Sequence, residues 1–253
     1  MKCGKPNLGQ PDGTLQFTEY CRLPTIAELE LLELTVPDII SLKMLGVAGV
    51  LSYAMARLAA RAGIVGYQRF VLVSVPLSKM PAMPRGFIVR ESTFEALSGL
   101  QIDVPQPVQA DRFEQGLNCL GAFNAKDNLV GVIWVGVGPY TECVVHVRFA
   151  VADDAAWDTG LWIAPQYRLG RGIAALWAGT AEWMQRHDRQ RSISWIADYN
   201  LPSLLSHRRM GATTIGHLTA IRFFSWQYIA NGKPRLVRTN ASRSAMLNLS
   251  QTY

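Results

Sequence analysis

In its second half the chain alternates short apolar runs with a longer run of helical period. Leu161 to Ala164 is apolar over strand length, and Ile173, Leu176, Trp177, Thr180 and Met184 recur at three- and four-residue spacing. That spacing predicts a helix from Ile173 to His187 with one buried face. Ser192 to Ala197 predicts the next strand, followed by a short helix from Leu201 and two more strand-like runs. Upstream, Gly86 to Arg90 predicts a strand, and Ser92 to Leu100 a helix capped by Ser92 or Thr93. Asn118 to Ala122 and Leu129 to Val137 predict a hairpin around Lys126-Asp127-Asn128, and Val144 to Ala150 and Gly160 to Ala164 two more strands. The fold class expected is α+β in three layers, with a mixed, mostly antiparallel central sheet flanked by helices.

The first 85 residues read differently. Residues 1–24 are rich in Gly and Pro and predict an irregular arm, and Pro37 to Gly63 a helical region. Its longest uncharged run, Met44 to Ala56, is too short to span a bilayer. The helix is expected to pack on the domain or across a homodimer interface; the alternative is a basic amphipathic helix on a membrane surface. Phe70 to Val75 predicts a strand, and Pro76, Pro81 and Pro84 mark a linker. The expected organisation is an N-terminal arm and helical extension over 1–85, a main domain over 86–230 and a basic tail over 231–253.

Composition narrows the class. At 49% hydrophobic and 17% charged, the 253-residue chain belongs with packed globular proteins. A net charge of +6 suits a polyanionic small molecule, and equally nucleic acid or an anionic membrane, so charge alone does not choose. The four cysteines, Cys3, Cys21, Cys119 and Cys143, are scattered without C-x-x-C or histidines at metal spacing. Reduced thiols in a cytoplasmic protein are expected, with no metal site. The N-terminus lacks the apolar core of a signal peptide.

The candidate chemistry lies in Leu161-Trp162-Ile163-Ala164-Pro165-Gln166-Tyr167-Arg168-Leu169-Gly170-Arg171-Gly172-Ile173-Ala174. A strand enters a glycine-containing loop that opens directly into a helix. Backbone N–H groups and the helix dipole favour an anion there, and glycine lets backbone approach it closely. Arg168 and Arg171 add charge-assisted hydrogen bonds. The expected ligand is a phosphate or pyrophosphate; a plain tight strand-to-helix turn is the structural alternative.

This segment, with the strand and short helix after it, resembles the GCN5-related N-acetyltransferase (GNAT) superfamily, with its V-x-P-x-x-R-G-x-G-x-G/A loop and later N-x-x-S/A…K-x-G-F segment. Ile163-x-Pro165, Gly170-x-Gly172-x-Ala174, Asn200, Ser203 and Gly211 fit. Arg168 sits one residue early, Arg209 replaces the usual lysine and Ala212 the usual aromatic. The resemblance covers roughly residues 86–228, and its second half carries the motifs.

It implies an N-acyltransferase that uses acetyl-CoA or another acyl-CoA as co-substrate. The pyrophosphate would lie on Leu169, Gly170, Arg171, Gly172, Ile173 and Ala174, and the pantetheine arm along Ile163. Asn200 would bond a pantetheine amide or cap the helix from Leu201. Where many members carry a tyrosine proton donor, this chain has His207; near the usual glutamate base stand Thr159 and Asp158. Glu142 and His146 are further candidates for the base. The acceptor implied is a primary amine on a small molecule, with longer acyl chains or an acyl carrier protein as alternative donors. Two other readings stay open: a fold of this kind that binds without chemistry, and a nucleic-acid binder using the arginines between 186 and 243. No nucleic acid is expected as partner.

Overall fold

The computed structural model describes residues 39–62, 65–100, 102, 104–142, 145–168, 171–239 and 244–249. The irregular arm expected over 1–24, together with Cys3, Cys21 and Cys143, lies outside them. Among the described residues no helix is long and apolar enough to cross a membrane.

The strands are β1 (Val65–Pro76), β2 (Phe87–Ser92), β3 (Asn118–Asn124), β4 (Leu129–Gly136), β5 (Tyr140–Glu142), β6 (Val147–Ala150), β7 (Ala155–Ile163), β8 (Arg191–Ala197), β9 (Thr213–Phe223), β10 (Trp226–Ile229), β11 (Leu236–Arg238) and β12 (Ala245–Asn248). The helices are α1 (Ile39–Ala62, kinked at Gly46), α2 (Phe94–Ser98), α3 (Gln106–Glu114), α4 (Gly172–Arg186) and α5 (Leu201–Arg209). Nine strands form one sheet in the order β11-β10-β9-β1-β8-β7-β4-β3-β2. Every neighbouring pair is antiparallel except β7 with β8.

Both faces of the sheet are covered at its centre, which is why β4 is buried at seven consecutive positions, whereas β10 and β11 alternate between buried and exposed. On one face Leu72, Trp134, Phe149, Trp157 and Leu218 form a core under α2, α3 and a small second sheet of β5, β6 and β12. On the other, Leu120, Val130, Ile133, Leu176, Trp183 and Met184 pack under α4, which crosses β2, β3 and β4. The expected three-layer, mostly antiparallel architecture is the one observed.

Three elements depart from the sequence reading. β1 does not stand in front of the sheet; it lies inside it, bonded to β8 along one edge and β9 along the other. The proline-containing stretch after it turns the chain into β2 and anchors on β8's approach, where the Leu77 N–H donates to the Gln190 carbonyl at 2.8 Å. The C-terminal stretch read as a basic tail contributes β11 to the large sheet and β12 to the small one, where β12 runs parallel to β6. Helix α3 (QPVQADRFE) has too few apolar residues to show a period, and its buried positions are Gln109 and Arg112.

Leu72 is 2% exposed at the centre of the apolar core. Leu72→Ala should lower stability by about 2–5 kcal/mol, the usual range for truncating a packed leucine. Urea unfolding followed by tryptophan fluorescence should show one transition shifted as a whole, because β1 belongs to the sheet.

Candidate active site

The one parallel pair in the sheet builds the site. β7 and β8 bond from Ala155–Arg191 to Asp158–Ser194 and stop there, although β7 runs on to Ile163 and β8 to Ala197. The cause is local. Between Val132–Trp162 and Trp134–Thr159 the register of β4 against β7 shifts, and β7 carries one extra residue. Gly160 sits in that bulge with φ of 62°, a left-handed conformation that favours glycine. The bulged strand leaves β8, and a fork opens with the inner edges of residues 159–163 and 195–197 no longer bonded to each other.

At the base of the fork stand the two residues singled out for catalysis. Asp158 is 4% exposed and His207 6%. The Asp158 Oδ2 accepts hydrogen bonds from the hydroxyls of Ser192 and Ser194, the latter at 2.6 Å. The His207 Nε2 lies 3.1 Å from the same Ser194 hydroxyl, and its Nδ1 lies 2.8 Å from the Ser203 carbonyl. A carbonyl only accepts, so Nδ1 carries a hydrogen. Trp177 of α4 meets the imidazole edge-on, with centroids 5.2 Å apart. Burial pushes the Asp158 carboxyl above the ordinary carboxylate range; the charge of His207 and the two serine hydroxyls oppose that shift.

Asp158, Ser194 and His207 therefore form one chain of contacts from β7 through β8 to α5. Two proton placements satisfy it: a carboxylate and an imidazolium with the serine between them, or a neutral acid and a neutral imidazole. They differ by a shift of two protons across the Ser194 oxygen. Sequence reasoning named the two ends and missed Ser192 and Ser194. The signal was there, in two serines alternating with Ile193 on one face of a strand otherwise built for the core.

The loop between β7 and α4 brings the cationic residues to the open end of the fork, beyond Ile163. Arg168 is exposed, and its Nε donates to the Ile163 carbonyl at 3.4 Å. Leu169 and Gly170 lie outside the described residues. Arg171 occupies the N-cap of α4, and its side chain makes no cap bond to the first N–H groups, those of Gly172, Ile173 and Ala174. Gly172 is buried, and a Cβ there would lie 2.5 Å from the Val130 Cγ1. This glycine is needed for close packing of α4 on β4, and a side chain added there would point at β4.

Asn200 caps α5: its Oδ1 accepts from the Ser203 N–H at 3.3 Å. At the outer end of β8, Asp198 accepts from the Ser52 hydroxyl of α1 at 2.7 Å and pairs with Arg69 of β1 at 3.2 Å. Burial pushes its carboxyl up, opposed first by Ser52 and then by Arg69. These contacts tie α1 to the sheet beside the fork. Glu142 stands in β5 and His146 in the turn before β6; the Asp158–Ser194–His207 chain includes neither. A cleft of about 1080 Å³, lined by Leu72, Arg148, Ile215, Lys233 and Leu247 among others, lies between the main sheet and β12; none of the expected site residues lines it.

No family model matches the chain. No curated protein matches it either. Solved structures do. A tandem GNAT protein from the clavulanic acid biosynthesis pathway matches at 17% identity and a TM-score of 0.45, covering 70% of this chain and 58% of its own. A GCN5-related N-acetyltransferase from Kribbella flavida matches at 12% identity and 0.40, covering 68% and 62%. An aminoglycoside antibiotic 6′-N-acetyltransferase from Acinetobacter baumannii matches at 19% identity and 0.37, covering 50% and 90%. The chain thus spans less than two thirds of the length of the first two.

Proposed function

We propose that the chain is an acyl-CoA-dependent N-acyltransferase acting on a primary amine of a small molecule, with acetyl as the first donor to test. The observation that carries the proposal is the fork. Two strands part at Asp158 and Ser194, and their unpaired edges lead from an uncapped helix start flanked by Arg168 and Arg171 to a buried acid–hydroxyl–imidazole chain. An uncapped helix start with two arginines suits a pyrophosphate. Free strand edges suit the amides of an extended pantetheine arm, held as an added strand would be.

The chemistry asks little of the protein. A bond forms between the amine nitrogen and the acyl carbon, the carbon–sulfur bond breaks, and the amine gives up a proton. We read Asp158 as the acceptor of that proton. His207 has both ring nitrogens engaged, Nδ1 with a carbonyl and Nε2 with Ser194, so we read it as the proton partner of Asp158 through Ser194. Burial holds the Asp158 carboxyl above the ordinary carboxylate range, and the Ser194 hydroxyl gives its proton a path toward the imidazole, so that the carboxyl can be freed to receive the amine's proton. Ser203 acts through its carbonyl, which fixes the hydrogen on Nδ1.

The test is release of free thiol from acetyl-CoA with a panel of primary amines, compared with longer acyl-CoA donors. Release that depends on the amine supports the proposal, and its absence with every donor and amine contradicts it. Arg171→Glu should weaken coenzyme A binding by about tenfold to a hundredfold, because a hydrogen bond to a charged group contributes about 1.5–3 kcal/mol. Calorimetric titration measures it.

A further inference from the structure

Arg112, on α3, is the only arginine or lysine that is buried among the described residues, at 8% exposure. It makes no ion pair among them; Tyr140 hydrogen-bonds with the guanidinium, and Nε and Nη1 have no hydrogen-bond partner. Its guanidinium carbon lies 4.7 Å from the centre of the Trp134 ring. The nearby carboxylate of Glu142 already receives the Tyr140 hydroxyl at 3.4 Å. A buried cation with unused donors and no ion pair is costly, and it is kept only where something repays it.

Its position says what that is. The guanidinium fills the space beside Gly160: a Cβ on that glycine would collide with Nη1. Gly160 is the bulge at which β7 leaves β8, two residues beyond Asp158. Arg112 approaches from the side of α3 and the small sheet, whereas Asp158 is contacted from the side of α5. The cation and the proton acceptor thus stand on opposite faces of the fork, with roughly 7 Å between the two strand positions.

We propose that Arg112 binds a carboxylate on the acyl acceptor, so that the acceptor is an amino acid or a similar molecule with its amine a few bonds from a carboxylate. This rests on the acyltransferase reading for the amine's fate, but not for the binding itself. A planar guanidinium fork matches a carboxylate with two parallel hydrogen bonds, and it holds the amine end toward Asp158. Tyr140, whose ionisation is pushed up by burial first and by Glu142 next, stays a neutral hydroxyl beside the guanidinium.

The test has two arms. In the first, thermal unfolding is followed for the wild type, Arg112→Met and Arg112→Lys, without coenzyme A. With no ligand Arg112→Met should unfold at a higher temperature than the wild type, because it removes an unpaired buried charge. Adding glycine, β-alanine or glutamate should raise the wild-type transition and leave that of Arg112→Met unmoved, with Arg112→Lys between them; ethylamine should raise none. A less stable or unfolded Arg112→Met would mean that the arginine holds the core, and would overturn the proposal. So would an equal response of Arg112→Met to the carboxylates. In the second arm, kcat/KM with acetyl-CoA should favour amino acids over their amides in the wild type, and Arg112→Met should abolish that preference. Failure of every amine to release thiol would count against the acyltransferase reading alone, since the first arm decides the carboxylate site without it.

Discussion

Asp158→Asn is expected to lower turnover by about two to four orders of magnitude, the range that a positioned proton acceptor contributes, while leaving coenzyme A affinity unchanged. The amide keeps the shape of the carboxyl and still accepts from Ser192 and Ser194, but it takes no proton from the amine and passes none to His207. The same substitution should change how stability depends on pH. Burial raises the Asp158 carboxyl in the folded chain, so the folded state holds a proton there that the unfolded state releases. The contribution of this group is therefore fully present below the ordinary carboxylate range and is lost as pH rises through the raised value. The amide has no such loss, so the melting temperature of the variant minus that of the wild type should increase from pH 4 to pH 8. Steady-state kinetics and a pH series of melting curves check both. A variant with wild-type turnover would remove Asp158 from the mechanism, and a temperature difference that falls with pH would contradict the buried, proton-holding carboxyl.

Gly172→Ala is the second large effect expected. Its Cβ would lie 2.5 Å from the Val130 Cγ1, and Val130 is fully buried, with nowhere to move. Forcing a methyl into such a contact costs about 1–3 kcal/mol. It also lifts the start of α4 from β4 and shifts the N–H groups of Ile173 and Ala174, so coenzyme A affinity should fall with stability. Removing the opposing methyls in Gly172→Ala/Val130→Ala should restore much of both. That leaves a favourable coupling between sites that are 42 positions apart in sequence and in contact across helix and sheet. Urea unfolding and calorimetric titration of the two single variants and the double variant measure the coupling. Purely additive losses would mean that the glycine is needed by the ligand and not by the packing.

The parts of this fold legible in the sequence were those whose cause is local. The period of Ile173, Leu176, Trp177, Thr180 and Met184 placed α4 to within a residue at each end, and Thr93 and Asn200 announced the helix starts they cap. The apolar runs 129–137 and 192–197 became strands. What could not be read depended on distant partners. β1 has the composition of any core strand, and nothing in it says that β8 and β9 lie on either side. The tail was polar enough to hide β11 and β12, because edge strands keep an exposed face. In the site, the loop glycines and Asp158 and His207 stood out by residue type. That Ser194 joins them is a matter of parallel register across 36 residues. That Arg112 meets Gly160 depends on a helix too polar to be recognised. A buried arginine and a buried acid look like surface residues until the fold closes over them.

The most direct measurement is calorimetric titration of the wild-type chain with acetyl-CoA and coenzyme A, repeated with Gly172→Ala and Arg171→Glu. The fork and the uncapped start of α4 predict one saturable site per chain for both ligands, weakened in both variants. No heat with either ligand, or binding that both variants leave unchanged, would contradict the assignment of the fork as an acyl-CoA site.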